Sequence, residues 1–139
     1  MRMRSETKTP EETLSAGESL GRTLTGGEVV LLEGGLGSGK TVFTKGIARG
    51  LDIEDVVTSP SFAIMNRYEG RLRLCHFDFY RLDRPGEMED LLEDCIYHED
   101  TVVVIEWGEA LGGLLESPLR VRFEIEEEGR VITVERGGA

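Results

Sequence analysis

Cysteine is scarce. Cys75 and Cys95 are the only two in 139 residues, too few for a disulfide framework and without CxxC spacing. With two histidines beside them, a structural zinc site is not expected either. No apolar run approaches the roughly 20 residues of a membrane-crossing helix. The opening Met1-Arg2-Met3-Arg4-Ser5-Glu6 has charges but lacks the apolar stretch of a secretory signal behind them. These absences lead us to expect a cytoplasmic, reduced chain with no membrane association. Positive charge is also short: the net charge is -11. Residues 1–74 carry 10 basic and 10 acidic side chains, whereas residues 75–139 carry 6 and 17. An acidic chain repels a phosphate backbone, so strong direct nucleic-acid binding is disfavoured. The acidic half reads as a solvated face or as a docking surface for a basic protein patch. Repeats and low-complexity linkers are missing too, and the length fits a single domain over residues 1–139.

What is present alternates between helical and extended patterns. Thr9-Pro10-Glu11-Glu12 has the form of a capping box, with proline at the first helical position. Leu14, Gly17, Leu20, Gly21 and Leu24 follow at helical spacing, and Gly26-Gly27 stops them. Val29-Val30-Leu31-Leu32 is a continuous apolar run, as in a strand buried on both faces. A glycine-rich turn and a helix carrying Phe43, Ile47, Ala48 and Leu51 come next. Residues 61–69 and 71–79 read as two strands around Glu69-Gly70. Met88, Leu91, Leu92, Cys95 and Ile96 share one helical face. Thr101 to Ile105 predicts a second buried strand, and strands over about 119–126 and 130–136 flank a turn at Glu128-Gly129. The pattern predicts an α/β fold, a mixed sheet with flanking helices and antiparallel hairpins.

Gly34-Gly35-Leu36-Gly37-Ser38-Gly39-Lys40-Thr41 satisfies G-x-x-x-x-G-K-[ST] in full. Its glycines let backbone N–H groups wrap a phosphate chain, and the following helix adds its positive end. Lys40 supplies a cation to the outer phosphates, and the Thr41 hydroxyl is placed to ligate Mg²⁺. An apolar strand before the loop and an amphipathic helix behind it give the motif the context it requires.

Such a loop needs a carboxylate at the end of a neighbouring strand to hold Mg²⁺. Glu106 closes the apolar run Thr101–Ile105 and is our candidate, against the alternative of an ordinary surface glutamate. Asp78, within His76-Phe77-Asp78-Phe79-Tyr80-Arg81, either assists the metal through water, orients the attacking water, or is a strand-end hydrogen-bonding group. His76 by itself reads as a packed core histidine. Thr58-Ser59-Pro60-Ser61 lies where nucleotide switches place hydroxyls, although alone it is equally a turn.

Taken in order, the loop Gly34–Thr41, Ser59-Pro60-Ser61-Phe62, His76-Phe77-Asp78-Phe79-Tyr80-Arg81-Leu82 and Ile105-Glu106-Trp107 resemble the TsaE (YjeE-type) P-loop ATPases. The resemblance spans nearly the whole chain. It implies a weakly ATP-hydrolysing component of the machinery that makes threonylcarbamoyladenosine at tRNA position 37, working with a threonylcarbamoyl-transfer heterodimer (TsaB/TsaD-like). It implies catalytic roles for Lys40, Asp78 and Glu106, and Mg²⁺ held by Thr41 and Glu106. Nucleotide contacts would come from Gly35, Leu36, Gly37, Ser38, Gly39, Lys40, Thr41 and Val42, with Ser61 beside the γ-phosphate, Trp107 near the nucleotide and Thr9 toward the base. Gly35, Ser38 and Ser61 stand where the family usually has Asp, Ala and Thr.

Three other functions compete with this one. A small-molecule kinase would need a lid, for which Arg81 and Arg84 are poor candidates beside the acidic stretch from Glu87. A GTPase is disfavoured because Asp83-Arg84-Pro85-Gly86 follows no buried strand and N-K-x-D does not occur. A non-catalytic, nucleotide-dependent scaffold is the third.

Overall fold

The computed structural model describes residues 2–35, 37–58, 65–79, 85–107 and 115–136, with the backbone alone for 85–88. Its elements run β1 (Arg2–Thr7), α1 (Pro10–Thr23), β2 (Val29–Glu33), α2 (Lys40–Gly50), β3 (Met65–Tyr68), β4 (Arg73–Asp78), α3 (Pro85–Cys95), β5 (Thr101–Glu106), β6 (Leu119–Glu126) and β7 (Gly129–Arg136). The strands form one seven-stranded sheet in the order β1-β7-β6-β2-β5-β4-β3. Pairs β6–β2, β2–β5 and β5–β4 are parallel, whereas β1–β7, β6–β7 and β3–β4 are antiparallel. The expected mixed sheet is therefore present.

The continuous apolar runs are explained by burial on both faces. Val30, Leu32, Val102 and Val104 face one core with Leu20, Phe43 and Ile47 of α1 and α2. Val29, Leu31, Val103 and Ile105 face a second core with Leu92 and Cys95 of α3. Strand alternation thus splits each run between two layers. Cys75 lies in the second core, where burial, followed by a hydrogen bond with Cys95, pushes its thiol up to about 12. It is held as a thiol and behaves as a small apolar residue.

Helices α1 and α2 meet backbone to backbone. A Cβ added at Gly17 would lie 2.2 Å from the Phe43 carbonyl oxygen, and one at Gly46 would lie 2.1 Å from that of Leu14. This close approach fixes the position of α2, whose first residue is Lys40. Arg71 ties the same helices at their far ends, donating to the carbonyls of Leu24, Gly21 and Gly50 at 3.0, 3.0 and 3.2 Å. Gly46→Ala is expected to lower the melting temperature by roughly 5–10 °C, since overpacking against backbone costs about 1–3 kcal/mol. An unchanged melting temperature would show that the helices can separate at little cost.

Several boundaries differ from the sequence reading. Strand β1 was not anticipated. Its residues alternate Arg2, Arg4 and Glu6 outward with Met3, Ser5 and Thr7 inward, and it pairs along β7 from Arg2↔Glu135 to Thr7↔Arg130. With a single strong hydrophobe, such an edge strand has a weak apolar signature. Strand β4 starts at Arg73 rather than 71, because Arg71 serves as the helix tie. The last hairpin turns at Glu127-Glu128, so Gly129 belongs to β7, where a Cβ would collide with the Thr7 carbonyl at 2.2 Å. Residues 61–64 of the strand expected over 61–69 and the lid candidates Arg81 and Arg84 lie outside the described residues. For Met88 only the backbone is described. No helix among the described residues is long and apolar enough to cross a membrane.

Candidate functional site

The parallel strands β2, β4 and β5 end at one edge of the sheet, and the candidate residues gather there. Strand β2 leads into the glycine-rich loop, β4 ends at Asp78 and β5 ends at Glu106. Asp78 and Glu106 are direct register partners, and Leu32 is the partner of Glu106 on the other side. Crevices outside the carboxyl ends of parallel strands are where α/β sheets bind ligands.

The loop reaches its shape through left-handed backbone at Gly37 (φ 76°) and Gly39 (φ 102°), conformations a side chain would strain. Gly39 is also the N-cap of α2 and offers no capping side chain, so the helix's opening N–H groups depend on other acceptors. Phe43 N–H already donates to the Gly39 carbonyl at 2.9 Å. Ser38 is buried, and its hydroxyl has no hydrogen-bond partner among the described residues. Arg130, which the sequence reading missed, anchors the loop from β7 by donating to the Gly37 carbonyl at 3.0 Å. A lone arginine in a strand gives no sequence signal of such a role.

Lys40 is 5% exposed. Its ammonium donates to the Gly34 carbonyl at 2.7 Å and sits 3.4 Å from the centroid of the Trp107 ring. Trp107 follows Glu106 directly and has φ 62°. For a bulky side chain this left-handed turn costs about 1–2 kcal/mol, and it accompanies contact between the β5 end and Lys40. The indole thereby joins the loop to the carboxylate edge.

Glu106 is buried, and its Oε2 lies 2.5 Å from Nε2 of the fully buried His76. The description of His76 as a packed core histidine holds for its burial but missed this partner. Leu74 of β4 and Val102 and Val104 of β5 belong to the core under α1 and α2, so alternation puts His76, Asp78 and Glu106 on that same face. Thr41 lies in the first turn of α2, with Val42 beside it. Hydroxyl and carboxylate oxygens are the hard donors that Mg²⁺ prefers. No group of three or more His, Cys, Asp or Glu side chains assembles a metal cage among the described residues.

On the other flank of the loop, Thr9 lines a cavity of about 220 Å³ with Lys8, Thr13, Gly39 and Arg130. Its hydroxyl accepts from Glu12 N–H at 3.2 Å, one half of the expected capping box, while Glu12 Oε1 accepts at 2.7 Å from the N–H of Lys8, the residue before the N-cap, rather than from that of Thr9. Thr58 is held through its backbone, its N–H donating to Tyr68 Oη at 3.2 Å and its carbonyl accepting from Asn66 Nδ2 at 3.2 Å. Leu36, Ser59, Pro60, Ser61 and residues 80–82 lie outside the described residues.

A family model described as "Threonylcarbamoyl adenosine biosynthesis protein TsaE" matches residues 7–134. The chain belongs to the TsaE family. A TsaE of Treponema pallidum (strain Nichols), named as a tRNA threonylcarbamoyladenosine biosynthesis protein, is 40% identical over 135 residues, covering 95% of this chain and 99% of that protein. The TsaE of Nostoc sp. is 42% identical over 125 residues, covering 86% and 76% of the two chains. The fold agrees as well: the "Crystal structure of Bacillus subtilus YdiB" superimposes with a TM-score of 0.79 at 32% identity, covering 99% of this chain and 87% of that one. All four motif segments fall within the residues that the TsaE family model matches.

Proposed function

We propose that this TsaE-family chain binds Mg-ATP at the sheet edge and hydrolyses it weakly, as part of tRNA threonylcarbamoyladenosine synthesis. Family membership supports the role in that synthesis. The nucleotide reading rests chiefly on one observation, the Lys40 ammonium held between the Gly34 carbonyl and the Trp107 ring beside Glu106. A phosphate arriving there offers that ammonium a stronger, charge-assisted bond than a neutral carbonyl does.

In this reading the loop N–H groups and Lys40 bind and orient the phosphate chain. Thr41 and Glu106 would hold Mg²⁺, and that ion supplies charge neutralisation at the outer phosphates. Asp78, beside Glu106 in the register, would assist the cation through water or orient the attacking water. The Thr9 cavity takes the base. A partner, the threonylcarbamoyl-transfer heterodimer, raises turnover. The tRNA contacts belong to that partner, in keeping with the net charge of -11.

Trp107 supplies the test, being the only tryptophan. ATP drawing Lys40 off the indole removes a cation–π contact, so emission should change on titration with ATP, and Mg²⁺ should alter that change. Emission indifferent to saturating ATP with and without Mg²⁺ would refute the site. Phosphate transfer to a small acceptor instead of water would favour a kinase.

A further inference from the structure

We propose that His76 is a positioning residue for the cation site: its imidazole fixes the Glu106 carboxylate so that Oε1 is presented to the metal. The inference rests on the Mg-ATP reading and adds a residue to it. His76 Nε2 and Glu106 Oε2 are 2.5 Å apart, and both side chains are buried. The contact is diagonal, because the register partner of His76 is Val104, two residues before Glu106. The two side chains therefore meet along the face of the sheet, across two register positions.

The proton's position follows from the other ring nitrogen. Nδ1 is buried and has no hydrogen-bond partner among the described residues. A hydrogen on Nδ1 would be a buried donor without an acceptor, an arrangement that folded proteins rarely keep. The hydrogen therefore belongs on Nε2, where it is donated to the carboxylate. That donor pins one carboxylate oxygen and leaves the other for the cation. Metal-binding carboxylates are commonly held by such outer hydrogen bonds, and losing one typically weakens metal affinity about 10–100-fold.

The test compares His76→Gln, His76→Asn and His76→Leu in the full chain. Gln places an amide N–H near the position of Nε2, Asn falls one bond short, and Leu has no donor. At saturating ATP, the Mg²⁺ concentration giving half of the Trp107 response should rise on the order of 10-fold in the Asn and Leu variants. It should stay near wild type in the Gln variant. Binding of Mg-free ATP should be unchanged in all three, which a general loss of structure would not permit. If the Leu variant fails to fold, the Gln and Asn pair decides the matter. Long-range ¹H–¹⁵N spectra of the wild-type protein should report a proton on Nε2 of His76. Equal Mg²⁺ dependence in wild type, Gln and Asn, or a proton on Nδ1 alone, would overturn the role of His76 while leaving nucleotide binding intact. A wild-type protein blind to Mg²⁺ would overturn the metal reading itself.

Discussion

Lys40→Ala is expected to weaken ATP binding by about 10-fold or more, the largest binding loss of any single substitution in the loop. Hydrogen bonds to charged groups are worth about 1.5–3 kcal/mol, and each 1.4 kcal/mol is a factor of ten. Lys40 is the loop's one cation; the other two lysines are Lys8, before α1, and Lys45, further along α2. The fold should survive, because the first turn of α2 keeps the Phe43–Gly39 backbone bond and the Thr44 hydroxyl's bond to the Lys40 carbonyl at 2.9 Å. The Trp107 ring would lose its cation even without nucleotide. The variant's resting emission should therefore differ from wild type, and its response to ATP should be small. Calorimetry giving wild-type affinity would remove Lys40 from the site.

The glycine-rich turn, the buried strands and the strand-end carboxylate were legible because each rests on a local rule. Glycine spacing marks a turn that side chains cannot make, and β-branched runs mark strands covered on both faces. Glu106 was visible as the charge that ends such a run. The features that were missed depend on contacts distant in sequence. His76 acquires its meaning from a residue 30 positions away, through a register no local pattern encodes. Arg130 is 93 positions from the Gly37 carbonyl it anchors, and Arg71 is 50 from the Gly21 carbonyl it ties. The polar edge strand β1 gains its place by pairing with β7, the opposite end of the chain. Long-range polar contacts thus complete a site whose backbone frame was readable.

Glu106→Gln and Glu106→Ala should both damage hydrolysis far more than nucleotide binding, lowering single-turnover phosphate release in the assembled complex by on the order of 100-fold. In the proposed site the loop and Lys40 would grip the phosphates, so affinity for Mg-free ATP should hold. A metal carboxylate counts most as charge shifts between the phosphates in the transition state. The two variants separate charge from packing. Gln keeps the shape and can still accept the His76 N–H through its amide oxygen, whereas Ala leaves that buried N–H unpaired. The Ala protein should therefore be less stable by about 1–3 kcal/mol, the cost of a buried donor without a partner, while the Gln protein stays near wild type. Equal loss of hydrolysis with unequal loss of stability is the signature of a carboxylate whose charge serves the metal and whose second oxygen serves the fold. Single-turnover rates at the wild-type level in the Gln variant would mean that the negative charge of Glu106 has no part in hydrolysis, and Asp78 would then be the carboxylate to test.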